Sequence, residues 1–193
     1  MVAAVLGTRS SQKGSHLGHI AAGILRHLNK SMVLVPPGAV IPGDIRRLVV
    51  PLEGTETTSR PVLDLLERMI SKEIELVVVH VFTEETLPTM LDHPYRDLEF
   101  LGQTFLARHC PPATDIRLRQ GSVAAAINEG HAEGACDLVV LVWSQDFSPG
   151  RAQVIQEVLG SSVAPVLLLP LKLSPEPDHG SFTALPRLLP GGG

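Results

Sequence analysis

One segment of this chain occurs twice, and that repeat constrains the fold more than any local motif does. Residues 20–36, IAAGILRHLNKSMVLVP, align with residues 154–170, VIQEVLGSSVAPVLLLP, at a constant offset of 134. Each copy reads as an apolar helix, a short polar joint, a short apolar strand and then proline. The helix faces are Ile20, Ile24, Leu25 and Leu28 in one copy and Val154, Ile155, Val158 and Leu159 in the other. Upstream of each lies another strand-like run, VAAVLG at 2–7 and DLVVLV at 137–142. Further strands and helices precede the upstream strand of the second copy, whereas Met1 alone precedes that of the first. The expected organisation is a C-terminal fragment of a first domain at 1–37, a linker at 38–44, a complete domain at 45–172 and a disordered tail at 173–193.

The apolar runs decide the fold class. LVVP, ELVVVHV, DLVVLV and PVLLLP are short, rich in β-branched residues and almost unbroken, as in strands covered on both faces. Hydrophobic residues make up 44% of the chain and aromatic residues 4%, so the core is aliphatic. Between these runs lie helical periodicities, including Val62, Leu65, Leu66, Met69 and Ile70, and Leu98, Leu101, Phe105 and Leu106. Hydroxyl caps are expected at Thr58 or Ser59 for the first of these helices and at Ser122 for the third. Alternating strands and helices with short joints predict an α/β fold, an open five-stranded parallel sheet with helices on both faces, plus a β-α-β fragment of a second copy. TDIRLRQG, which alternates Ile116 and Leu118 with Arg117 and Arg119, reads as a less buried edge strand.

Other function classes are disfavoured. A net charge of −4 leaves no electrostatic footprint for nucleic acid. No apolar stretch approaches the ~18–20 residues of a membrane span, and no secretory signal is seen after Met1. Cys110 and Cys136 lack metal or redox spacing and suit a reducing cytoplasm. His16, His19 and His27 have no neighbouring thiols or carboxylates that would suggest a metal. His80, inside a strand, reads as a hydrogen-bonded core histidine. No nucleophile–base–orienter set is present, so the chain is expected not to be an enzyme.

The order of the local words resembles the universal stress protein family. VVPLEGT, ELVVVHV, RQGSVAAAI, GACDLVVLV and VLGSSVAPVLLLP match one complete domain, and GHIAAGILRHLNKSMVLVPP matches the final helix and strand of another. The resemblance implies a Rossmann-like fold and, in many members, an ATP site at the C-terminal ends of strands one and four. The family pattern there is an acidic residue after strand one and a loop of form G-x2-G-x9-G-(S/T) after strand four. Glu53 matches the acidic position with one methylene more than Asp. Val142 and Gln145 stand at the first two glycine positions, and Ala152 and Gln153 at the last pair, where a Cβ blocks close backbone approach to phosphate. Trp143 is expected to plug the crevice. The complete domain is therefore expected to bind no ATP and to carry no cofactor.

In the first copy the resemblance implies a better-preserved loop, with Gly7, Ser10, Gly18 and His19 on the pattern, Gly14 adding flexibility, and Arg9 and Lys13 adding positive charge. The vestigial nucleotide site would then comprise Gly7, Arg9, Gly14, Gly18, His19 and Glu53. Two functions follow from the resemblance: a non-catalytic regulatory or interaction module with a degenerate nucleotide site, or an ATP-binding stress sensor that uses the first copy's loop within a full-length first domain. Family members pair through their final strands. That implies a homo-oligomer, or an intramolecular pseudo-dimer in which residues 31–36 lie antiparallel beside 165–170. An unidentified protein partner is also expected, with no nucleic acid and no membrane among the partners.

Overall fold

The structure, a computed structural model, describes residues 4–7, 23–25, 27, 30–69, 74–82, 86, 94–132, 136–144, 146 and 153–171. Its elements in chain order are β1 (Ala4–Gly7), β2 (Met32–Val35), β3 (Arg47–Pro51), α1 (Glu56–Met69), β4 (Glu75–Phe82), α2 (Pro94–His109), β5 (Asp115–Gln120), α3 (Val123–Ala132), β6 (Leu138–Trp143), α4 (Gln153–Ser161) and β7 (Val166–Pro170). Residues 23–25 and 27 are also helical.

Each apolar run became a strand, and a sheet covered on both faces hides its consecutive aliphatic side chains. The seven strands form one sheet in the order β1-β2-β7-β6-β3-β4-β5. The five-stranded parallel sheet expected from the sequence is β7-β6-β3-β4-β5, with parallel pairing throughout. β1 and β2 run parallel to each other and extend this sheet at the β7 side. Their joint is antiparallel, with Met32 opposite Leu168, Val33 opposite Leu167 and Leu34 opposite Val166. Residues 32–34 thus lie antiparallel beside 166–168, the placement that the resemblance implied for the two final strands. β5 lies at the opposite edge with no fully buried residue, as its alternating arginines led one to expect.

Successive residues along a strand point to opposite faces, so the sheet separates two cores. On one face Met32, Leu34, Val139, Leu141, Val166 and Leu168 pack with Ala126 and Ile127 of α3 and with Ile155, Val158 and Leu159 of α4. Leu25 belongs to this cluster too. On the other face Leu48, Val50, Val78 and Val140 pack with Val62, Leu65 and Leu66 of α1 and Leu106 of α2. Gly102 lets α2 approach β5 closely: a Cβ there would meet Ile116 at 2.8 Å.

Helix starts follow side-chain chemistry. Ser122 caps α3 as expected, its Oγ accepting from the Ala125 amide at 3.1 Å. The cap of α1 is Thr55, not Thr58 or Ser59. Its Oγ1 accepts from the Thr58 amide at 3.4 Å, and Thr58 and Ser59 lie inside the helix with their hydroxyls turned back onto the Thr55 carbonyl. Pro61 consequently sits beyond the first turn, where it removes one intrahelical amide donor. Val33 and Leu34 of the first copy and Leu167 and Leu168 of the second occupy equivalent faces of the sheet, the structural counterpart of the sequence repeat.

Candidate functional site

β3 and β6 are neighbours, but the chain continues from them toward opposite edges of the sheet: β3 leads to β4, and β6 leads to β7. At such a reversal the connections diverge and leave a crevice beyond the carboxyl ends of the strands. A crevice of about 420 Å³ opens there. Leu52 and Glu53 enter it from the end of β3, Val79 and Val81 from β4, and Leu141, Val142 and Trp143 from β6. Val123 at the start of α3, Val154 and Ile155 at the start of α4, and Leu171 after β7 complete its apolar wall. Thr58 and Ser144 supply hydroxyls.

The turn that carries Glu53 is fixed residue by residue. The Leu52 amide donates to the Val79 carbonyl at 3.0 Å. The Leu52 carbonyl faces His80 Nδ1 at 2.9 Å; a carbonyl only accepts, so Nδ1 holds the proton in this contact. Gly54 then adopts φ +85°, a conformation that L side chains rarely take, and lies against Phe105. Phe105 is itself held between rings, with centroids 4.5 Å from His80 and 4.8 Å from His109. Thr55 begins α1 immediately afterwards. Glu53 is thereby left exposed at the mouth of the crevice.

Burial lowers the pKa of His109 below the ordinary 6.5, with further electrostatic lowering from Arg108 and His80. Both cysteines are buried, and burial is the main cause that pushes the Cys110 thiol up to about 11 and the Cys136 thiol up to about 12. Raised in this way, both thiols are disfavoured as thiolates at neutral pH.

Of the residues named from the sequence as a vestigial nucleotide site, Glu53 lines the crevice. Gly7 ends β1, at the far edge of the sheet from β3. Arg9, Gly14, Gly18 and His19 lie outside the described residues, as do Gln145 and Ala152 of the second loop. Trp143 is the last residue of β6, 4% exposed, and packs in the core cluster while contributing to the crevice wall. It narrows the crevice without filling it. Sequence reasoning missed Val79, Val81 and Leu171. Val79 and Val81 alternate with His80 along one strand, a signal of shared facing, whereas Leu171 follows the strand-ending proline and carried no signal. Among the described residues, no group of three or more His, Cys, Asp or Glu side chains is placed to hold a metal ion. No helix among them is long and apolar enough to cross a membrane.

A doubly wound α/β sheet with a crevice at its switch point defines a Rossmann-like binding architecture. Solved structures place it further: this is the fold of the universal stress proteins. A universal stress protein from Archaeoglobus fulgidus superposes with a TM-score of 0.62 at 15% identity, over 88% of this chain and 60% of that one. A functionally unknown protein from Pseudomonas aeruginosa PAO1 gives a TM-score of 0.59 at 13% identity, over 88% of this chain and 63% of that one. The chain thus spans about 60% of the length of both neighbours. Neither a family model nor a curated protein matches it.

Proposed function

We propose that this chain is a non-catalytic regulatory or interaction module of universal-stress type, whose switch-point crevice no longer serves a nucleotide. One observation carries the reading: the described wall of the crevice is built of aliphatic side chains, Pro51, Trp143, the hydroxyls of Thr58 and Ser144 and one carboxylate, with no lysine or arginine among them. A triphosphate needs backbone amides at close approach or cationic side chains. Val142 puts a side chain where the related pattern has its first glycine. Glu53, Thr58 and Ser144, the polar side chains of the described wall, do not make a nucleophile with its base and orienting group, which supports a non-catalytic role.

The repeat supports a second part of the reading. β1 and β2 are related to β6 and β7 by the same parallel pairing, and the two pairs meet head to tail across the antiparallel β2–β7 joint. Such a joint supports an intramolecular pseudo-dimer in which a shorter copy completes the edge of a longer one.

Calorimetry of the whole chain with ATP and Mg²⁺ tests the nucleotide reading. The expected result is no binding. A dissociation constant tighter than ~10 µM, about 7 kcal/mol of binding free energy, would show that the crevice still takes nucleotide.

A further inference from the structure

Among the described residues β1 ends the sheet, yet its sequence is that of an interior strand. Its four residues, AVLG, carry no charge and no proline. The opposite edge, β5, is blunted by Asp115, Arg117 and Arg119, in the way sheet edges commonly are. The repeat shows what a strand in the place of β1 pairs with. Val5 lies opposite Val33 as Val140 lies opposite Leu167, so β1 stands to β2 as β6 stands to β7. In the longer copy the far side of β6 is covered by β3, which runs parallel with Val49 opposite Val139. We propose that the outer edge of β1 is a docking site for one parallel, aliphatic strand of the β3 kind, contributed by a separate polypeptide. The inference rests on the reading of the chain as an interaction module and gives that module a surface; it does not depend on what the crevice binds.

Backbone direction fixes the register of docking. Alternate residues of a strand turn their amide and carbonyl to opposite sides. In β6 the Val139 amide donates to the Pro165 carbonyl, and the Trp143 carbonyl accepts from the Leu171 amide. Those residues therefore face β7, and Val140 between them faces β3. In β3 the Leu52 amide donates to Val79 of β4, so Val49 faces β6. Val5, the counterpart of Val140, accordingly turns its amide and carbonyl outward, while Ala4 and Leu6 turn theirs to β2. An incoming strand that repeats β3 sets its counterpart of Val49 opposite Ala4 and accepts from the Val5 amide. A second copy does not supply this strand. Its β3 is held between β4 and β6, and its β5 brings charged residues where β3 has Leu48, Val49 and Val50.

The probe is a synthetic peptide with the sequence of residues 45–52, IRRLVVPL, blocked at both ends and added to the full chain. Amide hydrogen exchange is followed residue by residue. Near saturation the Val5 amide should exchange about tenfold more slowly, with the amides of β5 unchanged. N-methylation of the peptide at Val49 should abolish the effect; N-methylation at Val50, whose amide points away from β1, should not. Val5→Pro removes the outward donor and leaves the bonds to β2 in place. It should lose the peptide and keep the urea midpoint of Trp143, the chain's single tryptophan. If that variant does not fold, the two methylated peptides decide alone. No slowing at Val5 with millimolar peptide would overturn the proposal, as would equal binding of the Val49-methylated peptide. A Val5 amide already protected in the free chain would overturn it too. Sedimentation as a dimer would then assign the edge to a second copy, and as a monomer to the chain's own residues. ATP binding with the peptide effects intact would defeat the nucleotide reading alone.

Discussion

Gly54 is where backbone conformation and packing make the same demand. Its φ of +85° disfavours any side chain, and an added Cβ would fall 2.8 Å from the Phe105 ring. Gly121 provides the control, with φ +101° and nothing within 4 Å of its Cβ position. Gly121→Ala should cost about 1 kcal/mol from backbone strain alone, and Gly54→Ala about 1 kcal/mol more, because Phe105 lies against His80 and His109. Urea denaturation of the two variants checks the order, and equal midpoints would refute the packing contribution. His109 adds a pH dependence to the same cluster. Its folded pKa is lowered, chiefly by burial and then by Arg108 and His80, so the unfolded chain binds this proton more readily. Its contribution is therefore full above the ordinary value of 6.5 and is lost as pH falls below it, levelling off once the folded form is protonated too. His109→Gln should flatten the dependence of the urea midpoint between pH 7.5 and 5.5. An unchanged slope would place the dependence on another group.

At the scale of elements, the amino end of the sheet is tied by Asp137. Its Oδ2 accepts from the Arg46 amide at 2.9 Å and the Arg47 amide at 2.8 Å, which locks the start of β3 to the start of β6. The Asp137 amide returns a bond to the Arg47 carbonyl at 3.0 Å. Arg47 also reaches Glu75 at the start of β4, with Nε 2.6 Å from the carboxylate. Asp137→Ala removes two acceptor contacts and should cost about 1–3 kcal/mol; Arg46→Ala, on an exposed side chain, should change the midpoint little. Hydrogen exchange at the Arg47 amide checks the mechanism, since only the Asp137 variant should accelerate it. Elements of this kind were largely legible in the sequence because buried parallel strands announce themselves as unbroken aliphatic runs. The cap of α1 was not: GTETTS offers several adjacent hydroxyls, and local composition does not choose among them, whereas the structure starts the helix at Glu56 with Thr55 as its cap. The crevice was legible in part for the same reason. Glu53, Val142 and Trp143 follow strand ends that periodicity locates, whereas Val79, Val81 and Leu171 join them only once the strand order is known.

For the whole molecule the question is whether β1 and β2 are an appendage or part of one cooperative unit. Met32 and Leu34 are 1% and 0% exposed and share a core cluster with Val139, Leu141, Trp143 and Val158. Val33 faces the other core, beside Leu167 and Leu169. The segment after β2 is tied down as well, with the Val40 amide donating to the Val163 carbonyl at 3.0 Å. Both faces of β2 are therefore continuous with the cores of the longer copy, and the β2–β7 ladder covers a strand edge that would otherwise present unpaired amides and carbonyls. Truncating Leu34 to Ala should remove about 2–5 kcal/mol, the range for a large-to-small change in a packed core. Trp143 belongs to the same cluster, so its emission should report the whole of that loss as a shift in the urea midpoint. If β1 and β2 formed an independent unit, the Trp143 transition would stay where it is in the native chain. A second, earlier transition in far-ultraviolet circular dichroism would then appear. Coincident shifts in both signals are the expected result.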